Sequence, residues 1–329
     1  MTTQRQRQKQ KGAAILLAMV TVALVASLSI GALWQQWRAA EVERAERTRH
    51  QLEWLLHGAL DWARLILIED ARAGATDHLS EPWAVPLREA RLSSFLAAGD
   101  AQAATTLEAY LSGHIDDAQA LLNVASLASN GRPQRVVVDA MARLFDLLQL
   151  PRDDLNLLLR GMESATAPPD IPDAAKPAVP RSAQALHPAH LRQLAWFGVR
   201  ASTLEALAPY VTLLPTATPV NLNTAGFTVL RVLFAGIDTT RIQQFMAQRA
   251  NRPFTTVAEA LSAMGASQAS NDTNLFAVGT RYFTVVGRLR LDSLVVQERS
   301  LLERDGQRVS ILWRRREPAA AHLQSGPSP

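Results

Sequence analysis

No cysteine occurs in the 329 residues, which excludes a disulfide framework and a thiolate metal site and leaves the redox compartment open. The first twelve positions hold no acid, residues 12–37 hold no charge of either sign, and residues 38–57 hold neither glycine nor proline. No phosphate-cradling glycine loop, nucleophile elbow or metalloprotease helix motif is present, so nothing argues for an enzyme. An excess of positive charge on a folded domain is also missing. Arg5, Arg7, Lys9 and Lys11 account for the whole formal charge of +4, and the remaining 30 basic and 30 acidic residues cancel. A nucleic-acid binder carries its excess charge on the binding domain, because phosphate neutralisation supplies most of its affinity. Here the excess sits in a short tail and reports on membrane topology.

What is present begins with the uncharged run. Residues 13–33 form an apolar stretch whose helix would span roughly 30 Å, the thickness of a bilayer's hydrocarbon core. Trp34 and Trp37 follow where an aromatic belt belongs, and the basic tail before the run puts the N-terminus in the cytoplasm. Three readings fit: a cleavable secretory signal, a plain signal anchor, and a prepilin-type leader cut after Gly12, for which Gln10-Lys11-Gly12-Ala13-Ala14-Ile15-Leu16-Leu17 has the pattern. The mixed charges from Arg38 to Glu53 suit a solvated continuation of the helix. From Leu52, the positions Leu55, Leu56, Ala59, Leu60, Ala63 and Leu67 make one apolar face. A helix from Ala13 to about Asp70, half in lipid and half packed, has the shape of a pilin spine.

Farther on, residues 86–111 read as short strands, and residues 116–161 read as helical with Val136, Val137, Ala140, Leu144, Leu147 and Leu148 on one stripe. The prolines from Pro168 to Pro188 make an exposed loop, and residues 189–213 return to a helical pattern. Residues 220–261 read as two short helices joined at Gly236-Ile237, with Thr224 capping the first and Asp238 or Thr239 the second. Alternation in 282–291, 294–303 and 308–314, with a hairpin at Asp305-Gly306, predicts a three-stranded antiparallel meander. In its last strand Val309, Ile311 and Trp313 share a face. The expected fold is α+β, a long N-terminal helix with an antiparallel sheet interrupted by a large all-α insertion.

Taken together, the Gly12 leader, Asp77-His-Leu-Ser-Glu-Pro-Trp-Ala84, Asp117-Ala-Gln, Leu122-Asn123, Leu204-Glu-Ala-Leu-Ala-Pro-Tyr-Val211, Val220-Asn-Leu-Asn-Thr-Ala225 and Tyr282-Phe283 resemble general secretion pathway protein K, the large minor pseudopilin family of type II secretion. The resemblance divides the chain into a leader (1–12), a spine helix (13–72, membrane part 13–33) and a pseudopilin α/β part (73–122). A helical insertion (123–215), a helix-hairpin-helix-like module (216–270), a C-terminal meander (271–316) and a flexible tail (317–329) complete it. It implies a tip subunit that starts or caps the pseudopilus during protein export. Its partners would be the I-type and J-type minor pseudopilins, other pseudopilins and the inner-membrane assembly platform. Prepilin peptidase would cut between Gly12 and Ala13 and leave a methylated N-terminus, and the main domain would lie in the periplasm. Leu17 stands at the fifth mature position, where most pilins carry Glu. Asn221, Asn223, Thr224 and Ala225 form the family motif. No cofactor is implied except calcium, and calcium is in doubt because Glu163, Asp170 and Asp173 are scattered among prolines.

The runner-up is a bitopic membrane protein whose helix-hairpin-helix binds nucleic acid, against which Gly236-Ile237-Asp238 places a carboxylate where phosphate would sit. His187 and His190 have no nearby ligand partner for zinc. Asp116-Asp117 and Asp153-Asp154 read as caps or solvated faces, and Arg314-Arg315-Arg316 as a solvated run.

Overall fold

The computed structural model describes residues 3–91, 109–167, 186–266, 273–291 and 294–317, with the side chains of residues 3–13 left aside. Most of the proline-rich loop expectation (168–185) and residues 318–329 of the tail fall outside the described residues. Contacts divide the chain into Met1–Gly58 and Ala59–Pro329. Helix α1, Thr3–Ala73, supplies the whole of the first unit and the opening of the second. In the first unit Ile15, Leu17, Leu24, Leu28 and Leu33 are all more than 60% exposed. Among the described residues, one helix, Ala14–Ala73, contains a stretch long and apolar enough to cross a membrane.

The second unit is built on a five-stranded antiparallel sheet in the order β1-β2-β9-β10-β11. Its strands are β1 (Leu87–Arg91), β2 (Ala109–Asp117), β9 (Tyr282–Leu291), β10 (Leu294–Asp305) and β11 (Arg308–Glu317). Between neighbours β2 and β9 runs residues 118–281, which contain the short strand pairs β3 (Leu122–Asn123) with β6 (Val211–Thr212), β4 (Ala128–Ser129) with β5 (Arg132–Pro133), and β7 (Val220–Asn221) with β8 (Phe276–Ala277). Among the described residues, six α-helices lie in the same segment: α2 (Arg135–Leu147), α3 (Arg152–Thr166), α4 (Ala201–Leu207), α5 (Phe227–Leu233), α6 (Thr239–Asn251) and α7 (Val257–Met264).

Alternation along the strands gives the sheet two apolar faces. Phe283, Val285, Leu302, Val309 and Ile115 point one way and pack against Leu60, Ala63 and Leu67 of α1 and against Trp83. Trp83 meets Phe283 edge-on at 5.3 Å, and Arg64 donates to the carbonyl of Val309 at 3.0 Å. Tyr282 and Leu301 point the other way and meet Ala118 and Leu214 of the inserted segment. The insertion holds its own, larger core, centred on Leu144, Phe145, Leu158, Leu222, Phe245 and Leu261.

Three expectations need correction here. The helical pattern does not begin at Asp116: β2 runs to Asp117, short turns and strands follow, and the first helix starts at Arg135. Its buried stripe is Val137, Ala140, Met141 and Leu144, while Val136 is 41% exposed. The hairpin turns on Gly306 and Gln307, because Asp305 already pairs with Arg308. Trp313 does not share a face with Val309. The register slips between Leu301 and Leu302, so Leu302 faces Ile311 while Leu301 faces Trp313. A one-residue bulge exchanges faces beyond it, and it sends Trp313 to the side of Tyr282 and Leu301.

Candidate functional site

The motifs scattered through the sequence meet in one buried polar knot where the insertion leaves the sheet. Asp117 ends β2, and its carboxylate accepts from Gln119 N at 2.7 Å, Asn221 Nδ2 at 2.9 Å and Thr224 Oγ1 at 2.6 Å. Asn221 also donates to the carbonyl of Asp77 at 3.1 Å and accepts from Asn223 N at 3.0 Å. Asn223 is bonded to both the N–H and the carbonyl of Phe254, at 3.0 and 2.9 Å, which ties β7 to the chain before α7. Gln119 bridges Pro219 O at 3.1 Å and Arg281 N at 2.7 Å. Asn123 does a similar task nearby: it accepts from Ala125 N and Leu214 N and donates to Thr216 O at 2.7 Å.

Asp77 closes the knot from the segment after α1. It accepts from Thr280 N at 2.6 Å and from Arg304, whose other nitrogen reaches Asp70 at 2.6 Å. Arg304 stands on β10 two residues from Leu302, on the inward face, and lies over the Phe283 ring at 4.7 Å. Burial drives the Asp77 carboxyl upward; the Arg304 charge and the Thr280 N–H oppose it, and burial wins, pushing it up to about 7. Burial likewise raises Asp117, against hydrogen bonds from Thr224, Thr280, Gln119 and Asn221. Space is as tight as polarity. A Cβ on Gly279 would lie 2.4 Å from the carbonyl oxygen of Ala75.

Among the described residues, Asp70, Asp77 and Glu81 bring carboxylate atoms close enough to hold a cation. The Arg304 guanidinium already supplies positive charge to two of them, and Glu81 accepts from Trp83 Nε1 at 2.7 Å and His78 N at 2.9 Å. Residues with their acceptors so engaged are fitted to a guanidinium. Asp170 and Asp173 lie outside the described residues, and Glu163 stands half-buried on α3.

The structure brings Asn221, Asn223, Thr224 and Ala225 together with their distant partners, and Ala225 is fully buried. Thr224 does not cap α5: Gly226 holds the N-cap position without a side-chain bond, and the Thr224 hydroxyl is turned to Asp117. Asp238 does cap α6, accepting from Thr240 N. Gly236, at φ +82, makes the turn between the two helices, and the Asp238 carboxylate takes the amide a phosphate would need. Gly12 and Ala13 lie in the backbone of α1, and Leu17 is 67% exposed.

Asp116 and Asp153 are exposed, as expected of solvated faces, but the second member of each pair is buried. Asp117 is buried in the knot, although it also caps the following turn. Asp154 is buried between α3 and α4, held by the Arg200 guanidinium at 3.0 Å and by the Thr203 hydroxyl. Burial pushes its pKa up, but those hydrogen bonds and the Arg200 charge outweigh it and the net shift is downward. Arg314 and Arg315 pair with Glu298 and Glu317 along the strands. Arg249, on α6, is a buried cation bonded to the carbonyl of Leu222 at 2.6 Å, and burial lowers it to about 10. Sequence reading missed Arg304, Arg249 and the role of Asp77. A charged residue at an inward position of an otherwise apolar face was the available signal.

The sequence model of the family described as type II secretion system (T2SS), protein K matches residues 220–279, the stretch that carries Asn221 through Thr224 and ends beside Asp77. The type II secretion system protein K of Pseudomonas aeruginosa is 23% identical over 303 residues, covering 87% of this chain and 86% of the relative. The chain is thus similar to type II secretion system protein K over most of its length. A chain in the crystal structure of the GspK-GspI-GspJ complex from enterotoxigenic Escherichia coli superposes with a TM-score of 0.62 at 20% identity, covering 84% of this chain and 99% of that one. The shared fold is therefore the α+β sheet with its inserted helical part. In this chain the knot fastens that insertion to the sheet. The apolar helix fits a single-pass inner-membrane protein.

Proposed function

We propose that this minor pseudopilin of type II secretion occupies the tip of the pseudopilus, where it starts or caps assembly beside I-type and J-type partners. The observation that carries the reading is the insertion, residues 118–281 between adjacent strands β2 and β9, tied to the sheet by Asp117 with Asn221 and by Arg304 with the Thr280 carbonyl. An insertion of that bulk resists burial between stacked subunits and suits an end position. The likeness to a chain of a K–I–J complex supports the choice of partners. The role is structural and calls for no catalytic group or cofactor.

In the same reading, prepilin peptidase removes residues 1–12, Ala13 becomes the methylated N-terminus, and the second unit lies in the periplasm with the assembly platform below. Leu17 supports a starting subunit. An uncompensated carboxylate in lipid costs about 2.5–3.5 kcal/mol on insertion scales, so a subunit with no neighbour above gains by lacking one. N-terminal sequencing of the membrane-extracted protein, with crosslinking to the I-type and J-type subunits, tests the proposal. Expected are an N-terminus at Ala13, lost in Gly12→Val, and crosslinks to those two partners. A retained Met1 with no crosslinks would sink it.

A further inference from the structure

Two buried side-chain nitrogens among the described residues have no hydrogen-bond partner, His190 Nδ1 and Trp313 Nε1. They belong to one place. The two rings meet edge-on at 5.0 Å, and both residues line a cleft of about 630 Å³ between the second face of the sheet and the inserted segment. Leaving a buried polar atom unpaired costs about 1–3 kcal/mol, and native structures rarely tolerate it without a reason. Two at a single cleft point to a partner that arrives from outside. The indole N–H can only donate, so that partner must offer an acceptor.

Charge narrows the choice. Arg192, Arg299 and Arg315 stand on the lining, against Glu205 and Glu317. Glu317 is already shared by Arg299 at 3.1 Å and Arg315 at 2.8 Å. Arg192 is exposed and makes no ion pair among the described residues. Burial and the Arg315 charge lower the pKa of His190, which keeps its ring neutral. Leu204 and Leu213 give the same cleft an apolar wall, so the ligand joins an anion to apolar neighbours. The volume falls within the range of natural ligand sites, about 300–1,000 Å³.

We propose that this cleft binds an acidic peptide segment of a partner protein, an Asp or Glu side chain flanked by apolar residues, with Trp313 Nε1–H and the Arg192 guanidinium as donors to its carboxylate. The inference stands apart from the tip assignment, since it rests on the cleft alone. The full-length chain in detergent micelles, carrying ¹⁵N-indole tryptophan, is titrated with acetyl-Leu-Glu-Leu-amide, with acetyl-Leu-Gln-Leu-amide, and with sodium acetate at equal ionic strength. The Trp313 resonance is assigned by its loss in Trp313→Phe. The Glu peptide should move that resonance saturably, and Arg192→Gln should raise Kd about tenfold, the loss of one charge-assisted hydrogen bond, while leaving the free spectrum unchanged. An unmoved resonance, an equal response to the Gln peptide, or indifference to both Arg192→Gln and Arg315→Gln would overturn the site. A response to acetate equal to that of the Glu peptide would overturn the peptide and assign a small anion.

Discussion

One helix spells leucine two ways. In residues 15–33 of α1 the apolar side chains stand more than 60% exposed on every side, whereas Leu60, Ala63 and Leu67 of the same helix are at most 5% exposed under the sheet. Helical geometry is common to both stretches, so the difference lies in what surrounds them. Apolar area left open in the isolated chain gains its free energy only from an apolar medium, and a uniform apolar girdle is what lipid accepts. A one-sided stripe needs one protein surface. The stripe's stability therefore belongs to the fold, and the girdle's belongs to the bilayer.

The largest effect should come from the knot that holds the protein surface in place. Arg304→Ala leaves Asp70 and Asp77 buried without their cation, and at pH 8, above the raised range of Asp77, removing one partner of a buried pair costs about 3–5 kcal/mol. Urea unfolding of the full chain in micelles should show that loss, and a loss below about 1 kcal/mol would mean that the pair is no better than a surface bridge. Next comes the comparison itself. Leu67→Ala should cost about 2–5 kcal/mol in the same assay, because Leu67 is fully buried against Phe283, Val285 and Leu302. Leu24→Ala should leave the unfolding midpoint unchanged and reduce only membrane retention. Equal losses at both positions would break the distinction between stripe and girdle.

Much of this was legible beforehand, because period and composition report on burial. The run 13–33, the stripe at Leu60 and Leu67 and the meander all follow from spacing. What stayed hidden depends on long-range geometry. The bulge that turns Trp313 away from Val309 inserts one residue that no local pattern marks. Asp117 looks like half of an ordinary acidic pair until Asn221 and Thr224 arrive from a hundred residues away. Arg304 shows only as a charge on an inward position, with nothing nearby to name Asp77 as its partner. Resemblance found the motifs, and only the fold showed that they touch.

Acidity acts through the knot. Asp77, with its carboxyl raised to about 7 from an ordinary 3.8, holds a proton in the folded chain that the unfolded chain has released. Its contribution to stability is full below about pH 4 and is lost as pH rises toward 7, and raised Asp117 acts in the same direction. Unfolding free energy measured from pH 4.5 to 8 should therefore carry a downward contribution with rising pH, and Asp77→Asn should flatten it. A profile identical in the variant would remove Asp77 from the account.

A small effect is expected two residues from one of the largest. Leu65 lies on the same turn of α1 as Leu67, yet it is 58% exposed while Leu67 is wholly buried. If helix position governed, Leu65→Ser would resemble Leu67→Ala. If contact governs, the change removes little packed area. What remains is a few tenths of a kcal/mol of helix propensity between Leu and Ser, within the roughly 0.5 kcal/mol usual for surface substitutions. The same urea assay should place Leu65→Ser close to the parent and far from Leu67→Ala. A loss above about 2 kcal/mol would show that residues 59–73 are held on more than one face, and the contrast between girdle and stripe would have to be redrawn as one of degree.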